Sequence, residues 1–347
     1  MIPKSGTRLW GRIMLNKVSQ MNAEPGTRVL KADQASIEAA AACLRAGGLV
    51  AFPTETVYGL GADAGNGEAI ARLYAAKGRP AFNPLIAHAA DLEAARRIAV
   101  FDADAEKLAK VFWPGPLTLV LPKRADGGVA DLALAGLDTV AVRVPAHPVA
   151  LALLEAFGGP VVAPSANRSG HVSPTSAPHV LADLRGRIDL VIDGGACDVG
   201  VESTIVSLQG GPTLLRPGGL PRDDIERVLG HPLAVAITAD DAPQSLEVIA
   251  PGMLASHYAP KAQLRLDAQM PRAGEALLAF GAAPNFSGTT LNLSPRGDLI
   301  EAAANLFSHL RALDNSGATT IAVMSVPHDG LGEAINDRLA RAAAPRQ

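Results

Sequence analysis

An α/β chain of two unequal units is what the sequence predicts, and three observations predict it. Short apolar runs alternate with stretches of helical period from residue 28 onward. Residues 231–260 carry no sustained period and several Pro and Gly residues, so they read as a linker, and beyond them the alternation resumes. Finally, 347 residues with 48% hydrophobic and 19% charged side chains are enough for two folded domains and unlike a disordered chain.

The elements follow in order. The first 23 residues carry Lys4, Arg8, Arg12 and Lys17 without an acid, and lack the apolar core and cleavage site of a secretory signal. With Met14 and Met21 as alternative starts, residues 1–24 read as a disordered basic extension or a misplaced start, outside the fold. Ile37, Ala40, Ala41 and Leu44 have helical spacing, ended by Gly47-Gly48, and Leu49–Phe52 is a buried strand stopped by Pro53. Ile70, Leu73, Tyr74 and Lys77 recur at i, i+3, i+4 and i+7, which puts Lys77 on the apolar side of its helix. A short strand reaching His88 follows, and further strands are expected at 117–121, 139–144, 161–163, 190–192 and 203–208, then a helix over 222–229. The second unit reads as a strand at 275–280, a helix over 298–313, a strand at 320–324 and a helix over 332–343. The predicted domains are thus 25–230, a linker or lid at 231–260, and a small α/β domain at 261–347.

Composition also limits function. A net charge of −3 gives no global attraction for nucleic acid or anionic membrane, and 4% aromatics argue against a base-stacking surface. Cys43 and Cys197 make neither a disulfide framework nor a zinc site, which suits a reducing compartment; Cys43 reads as core, and Cys197 lies in a Gly-rich loop. Apolar runs break well before the ~20 residues of a membrane span. There is no GxxxxGK[ST] loop, GxSxG elbow or HExxH motif, and the histidines lack metal-ligand spacing. Gly59, Gly61 and Gly65 approach a dinucleotide fingerprint, but the third glycine is one position late.

What remains is a set of polar residues at strand ends, where α/β folds place ligands. Pro53–Gly61 is either a ligand loop whose glycines admit close approach or a plain Gly-rich turn. Lys77 at a helix C-terminus also simply suits the dipole, whereas Arg79 and Asn83 occupy a Pro-bounded loop. On the strand 139–144, Thr139 and Arg143 share one face across Ala141; a buried Arg there needs an anion, either a ligand or an internal carboxylate. Ser165-Ala166-Asn167 follows a strand stopped at Pro164, Ser203 faces away from the Thr204–Val206–Leu208 side of its strand, and Arg216 is another cation at a strand end.

Together PTETVYGLG (53–61), KGRPAFNPL (77–85), WPGPLTLVL (113–121), TVAVRVP (139–145), APSAN (163–167), ESTIV (202–206) and LRPG (215–218) resemble the threonylcarbamoyl-AMP synthase (YrdC-like) family. PGMLASHYAP (251–260) is similar to the linker of its long form. The resemblance implies a twisted mixed-sheet domain with a concave ligand cleft and a small Rossmann-like C-terminal domain. It implies a nucleotidyltransferase that takes L-threonine, bicarbonate and ATP with magnesium to threonylcarbamoyl-AMP and pyrophosphate, for tRNA modification by a downstream transferase. It further implies a cytoplasmic enzyme with weak or no direct tRNA binding, no membrane association and no protein metal ligands. By resemblance Lys77, Arg79, Ser165 and Asn167 form the catalytic signature. Lys77, Arg79, Asn83, Thr139, Asn167, Thr175, Arg216 and Tyr258 match ATP positions, with His257-Tyr258 folding over the nucleotide. Thr56, His88, Arg143, Ser165 and Ser203 match positions around threonine, Ser203 being chosen over Thr204 on the strand-face argument. Two rivals stand beside this reading: an RNA-binding module, and a carbamoyltransferase using carbamoyl phosphate.

Overall fold

The computed structural model describes residues 26–80, 82–235 and 258–345. The basic extension, most of the expected linker and His257 lie outside the described residues.

In chain order the first unit contains β1 (Arg28–Lys31), α1 (Gln34–Arg45), β2 (Val50–Phe52), β3 (Gly59–Asp63), α2 (Gly67–Lys77) and β4 (Ile86–His88). It continues with α3 (Leu92–Ile98), α4 (Ala103–Phe112), β5 (Leu117–Pro122), α5 (Asp131–Leu134), β6 (Thr139–Arg143) and α6 (Pro148–Phe157). Then come β7 (Val161–Val162), α7 (Ala177–Leu184), β8 (Leu190–Asp193), β9 (Thr204–Ser207), β10 (Thr213–Arg216), α8 (Arg222–Leu229) and β11 (Ala234–Val235). The second unit is β12 (Gln263–Arg265), β13 (Ala276–Ala279), β14 (Thr290–Asn292), α9 (Leu299–Asp314), β15 (Thr320–Val323) and α10 (Leu331–Ala343).

Helix starts obey local chemistry: Asp33, Asn66, Asp91, Asp102 and Asp298 each accept a first-turn amide, satisfying donors that the helix itself leaves open. The large sheet runs β1-β8-β2-β3-β7-β4-β6-β5-β9-β10-β11, with parallel and antiparallel pairs mixed. The small sheet, β12-β15-β13-β14, is wholly parallel, as expected of a Rossmann-like unit.

The middle of the large sheet positions the site. One face of β5, β6 and β9 carries Leu119, Val140, Val142 and Val206, packed with Ile98, Leu108 and Ile225 of α3, α4 and α8. The opposite face carries Ile86, Val120, Ala141, Ile205 and Leu215. By strand alternation that second face also holds His88, Thr118, Arg143 and Ser203. Arg216, two residues after Leu214, would fall on the helix-covered face if β10 were regular. A register shift between Leu214 and Arg216 re-aims it, as bulges do.

One expectation is corrected here. Residues 59–61 are not a ligand loop but the start of β3, antiparallel to β2. A Cβ on Gly61 would stand 2.9 Å from the Phe52 ring and 3.1 Å from Val161, so sheet packing excludes a side chain. Cys43 is half-buried rather than core.

Candidate active site

Three loops meet over the open face of the sheet. The first is Pro53–Val57, folded on itself by Thr54, whose Oγ1 accepts from the Val57 amide at 3.2 Å and donates to the Val57 carbonyl at 2.7 Å. This turn buries Thr56 beside Thr54 and directs Glu55 to Arg143. The second loop begins where α2 ends. Gly78 adopts φ 62°, a left-handed cap that a side chain would strain, and the chain turns there to present Arg79. Arg79 Nη2 donates to the Pro84 carbonyl at 3.1 Å, its Nε has no partner among the described residues, and burial pulls its pKa down to about 10.

The third loop is 163–171. Lys77, on the buried side of α2, donates Nζ to the carbonyls of Ser165 and Asn167, each at 2.5 Å. Its ammonium is fully desolvated, and burial, then Arg79, depresses its pKa. Asn167 Nδ2 in turn donates to the carbonyls of Arg168 and His171, both at 2.8 Å. Lys77 and Asn167 thus fix the loop that carries Ser165.

The cleft between these loops encloses about 510 Å³, its open mouth included. Of the residues picked out in the sequence, Thr56, Arg79, His88, Arg143, Ser165, Ser203, Arg216 and Tyr258 line it together. Lys77, Asn83, Thr139, Asn167 and Thr175 do not. Thr139 shares the Arg143 face but lies four residues back, roughly 13 Å along the strand. Asn83 is buried with Oδ1 unpartnered among the described residues, and Thr175 bonds His179 at 3.4 Å.

Arg143 resolves its open alternative toward an ion pair: Nη2 meets Glu55 Oε1 at 2.6 Å and Nε donates to the Gly115 carbonyl at 3.2 Å. Both side chains are buried, yet Arg143 still lines the cleft. Ser203 Oγ pairs with Thr118 Oγ1 at 2.8 Å, while Arg216 donates Nη2 to the Ser203 carbonyl at 2.9 Å. Thr204 faces the other way, donating Oγ1 to the Leu220 carbonyl at 2.6 Å. Burial and the neighbouring Arg143 push His88 down to about 3, so its ring is neutral at physiological pH. Burial, with Glu55 and Asp198 nearby, raises the Cys197 thiol to about 12, which disfavours the thiolate that a nucleophile needs.

Sequence reasoning passed over Glu55, Thr118 and Glu202. Glu202 lines the cleft and is bound to Arg338 of α10 at 2.8 Å, a contact between the two units. A signal for Arg338 existed, since it stands in the apolar stripe of α10 with Ala334, Ile335, Leu339 and Ala342.

Comparison with known proteins matches residues 42–218 to the Sua5/YciO/YrdC family profile, described as "Telomere recombination". Residues 220–344 match "Threonylcarbamoyl-AMP synthase, C-terminal domain". The chain belongs to this family, in its two-domain form. A threonylcarbamoyl-AMP synthase of Pyrococcus abyssi is 45% identical over 332 residues, covering 89% of this chain and 94% of the relative. One from Bacillus subtilis is 42% identical, covering 92% and 96%. The crystal structure of P. abyssi Sua5 complexed with L-threonine superposes with a TM-score of 0.83 at 42% identity, covering 91% of this chain and 98% of that one. The fold class expected from the sequence, mixed sheet and small second unit, is the one found. Among the described residues no helix is long and apolar enough to cross a membrane.

Proposed function

We propose that this cleft makes threonylcarbamoyl-AMP from L-threonine, bicarbonate and ATP, as a nucleotidyltransferase serving tRNA modification. The observation that carries this reading is the convergence of three guanidinium groups, Arg79, Arg143 and Arg216, on one cleft that also holds Thr56, Ser165 and Ser203. Such a cleft suits a substrate set with one carboxylate and a polyphosphate. The synthase names of relatives matched over most of their length, and the threonine complex of one of them, support it.

Threonine's amine and bicarbonate give a carbamate and water. A carbamate oxygen then attacks the α-phosphorus of ATP, and the bond to the bridging oxygen breaks with pyrophosphate leaving. No enzyme nucleophile is needed, and the task is positioning and charge neutralisation. In this proposal Arg143, steadied by Glu55, grips the threonine carboxylate, with Thr56, neutral His88 and Ser203 around the amino acid. Arg79 and Arg216 face the phosphates, while Lys77 and Asn167 act through the Ser165 loop. Magnesium enters with ATP. Glu202, a carboxylate of the cleft wall, has one oxygen bonded to Ser173 and the other to Arg338, and no three-residue metal cluster exists among the described residues. The metal would therefore be held by the phosphates, whose charge it neutralises. We extend the reading to the cytoplasm, a reducing medium that suits the free thiols of Cys43 and Cys197.

The test is pyrophosphate release with each reactant, and magnesium, omitted in turn, the adenylate being followed by mass spectrometry. Release that needs all of them, with a threonylcarbamoyl adduct of AMP, is the expected result. Release driven by carbamoyl phosphate instead overturns the reading.

A further inference from the structure

Arg338 is fully buried although it belongs to the last helix of the second unit. Its Nε donates to Glu202 Oε2 at 2.8 Å, and its guanidinium carbon stands 5.2 Å from the centre of the Tyr258 ring. Glu202 Oε1 accepts from Ser173 Oγ at 2.5 Å, so both carboxylate oxygens have partners outside the cleft lining. Yet Glu202 precedes Ser203, the residue whose carbonyl and hydroxyl receive Arg216 Nη2 at 2.9 and 3.3 Å. Glu202 and Arg216 line the same cleft; desolvation raises the Glu202 carboxyl, but Arg338 first and Arg216 second hold it below the ordinary carboxylate range.

A buried carboxylate deprived of one cation turns to the next, because an unpaired charge is costly at low dielectric. We propose that Arg338 is a positioning residue for the synthase reaction. By claiming Glu202, it keeps that carboxylate from pairing with Arg216 and repelling the phosphates of the nucleotide. The second unit thereby sets the charge of a cleft built by the first. This rests on the reading of Arg216 as a phosphate-facing residue.

The test is a double-mutant cycle on steady-state KM values for ATP and threonine, using R338M, E202Q, E202Q/R338M and R216A. R338M is expected to raise the KM for ATP about tenfold or more with that for threonine within about threefold, and in the E202Q background the same substitution should change neither by more than about threefold. An equal rise for ATP with and without E202Q would mean lost packing, and no rise in R338M would mean no such role; either overturns the proposal. Where R338M does not fold, R338Q takes its place in the same cycle, and the KM for ATP with and without E202Q is read in the same way. R216A with an unchanged KM for ATP refutes the phosphate-facing reading and the proposal with it. R216A with a raised KM beside a neutral R338M refutes the present inference alone.

Discussion

Arg143 and Glu55 show how one ion pair can serve both fold and site. Their contact of 2.6 Å is buried, and removing one partner of such a pair costs about 3–5 kcal/mol because the other charge is stranded. The pair holds a guanidinium in the cleft wall beside Thr56 and Ser203. R143A is expected to raise the KM for threonine by roughly 10- to 150-fold, the worth of a charge-assisted hydrogen bond, with little change for ATP. Equal losses for both substrates, read by titration of each, would remove the carboxylate-gripping role. Arg143 was legible because a strand face with an Arg across a small Ala demands an anion. Glu55 was not, since a carboxylate in a turn has no periodicity to betray its partner 88 residues away. Lys77 was legible as a buried cation from its helical stripe, but only the folded chain shows that carbonyls of the Ser165 loop receive it.

Elements were readable where a period ran long enough. α8 falls at the expected residues 222–229, α10 begins one residue earlier than expected, and β5, β6 and β15 are found within a residue of their expected ends. Two- and three-residue pieces such as β11, β12 and β14 are too short to carry a pattern, and the strand order of the large sheet depends on pairings between distant segments. The bulge in β10 is the clearest loss. It decides that Arg216 joins the cleft, yet it leaves no mark in the sequence LRPG. The turn just after β10 is equally constrained. A Cβ on Gly218 would lie 2.4 Å from the Glu202 carbonyl oxygen, the Ser203 carbonyl carbon and the Thr204 amide nitrogen, all backbone atoms that cannot swing aside. G218A is therefore expected to destabilise by about 1–3 kcal/mol and to displace the Ser203 carbonyl from Arg216. Urea midpoints and the KM for ATP should worsen together; a variant with wild-type values for both would show that the approach is not tight.

At the scale of the molecule, the two units share a core and several ion pairs. Val57, Val172 and Val201 of the first unit pack into the cluster of Leu306, Phe307 and Leu310. Arg311 pairs with Asp183 at 2.9 Å, Arg222 with Glu333, and Arg338 with Glu202. Acid should loosen this arrangement in two stages. Burial lowers His88 to about 3 and His179 to about 4, against 6.5 for an unperturbed ring. As pH falls below 6.5 the unfolded chain takes up protons that the folded one refuses, so stability declines down to the folded values. Each group contributes a slope of roughly 1.4 kcal/mol per pH unit at most, less for His179, which meets solvent. The carboxylates add the second stage. Desolvation would raise Asp183 and Glu202, but hydrogen bonds and cations, His171 and Arg311 for the one and Arg338 and Arg216 for the other, hold both below their ordinary values of 3.8 and 4.5. Their contribution is present above those values and is lost as pH falls through them toward the lower folded ones. Urea midpoints taken between pH 7.5 and 4 should therefore fall from about 6.5 downward and more steeply below about 4.5. H179N should flatten the upper limb in part while leaving the lower one, and a midpoint constant from pH 7.5 to 5 would show that neither histidine is buried in its neutral form.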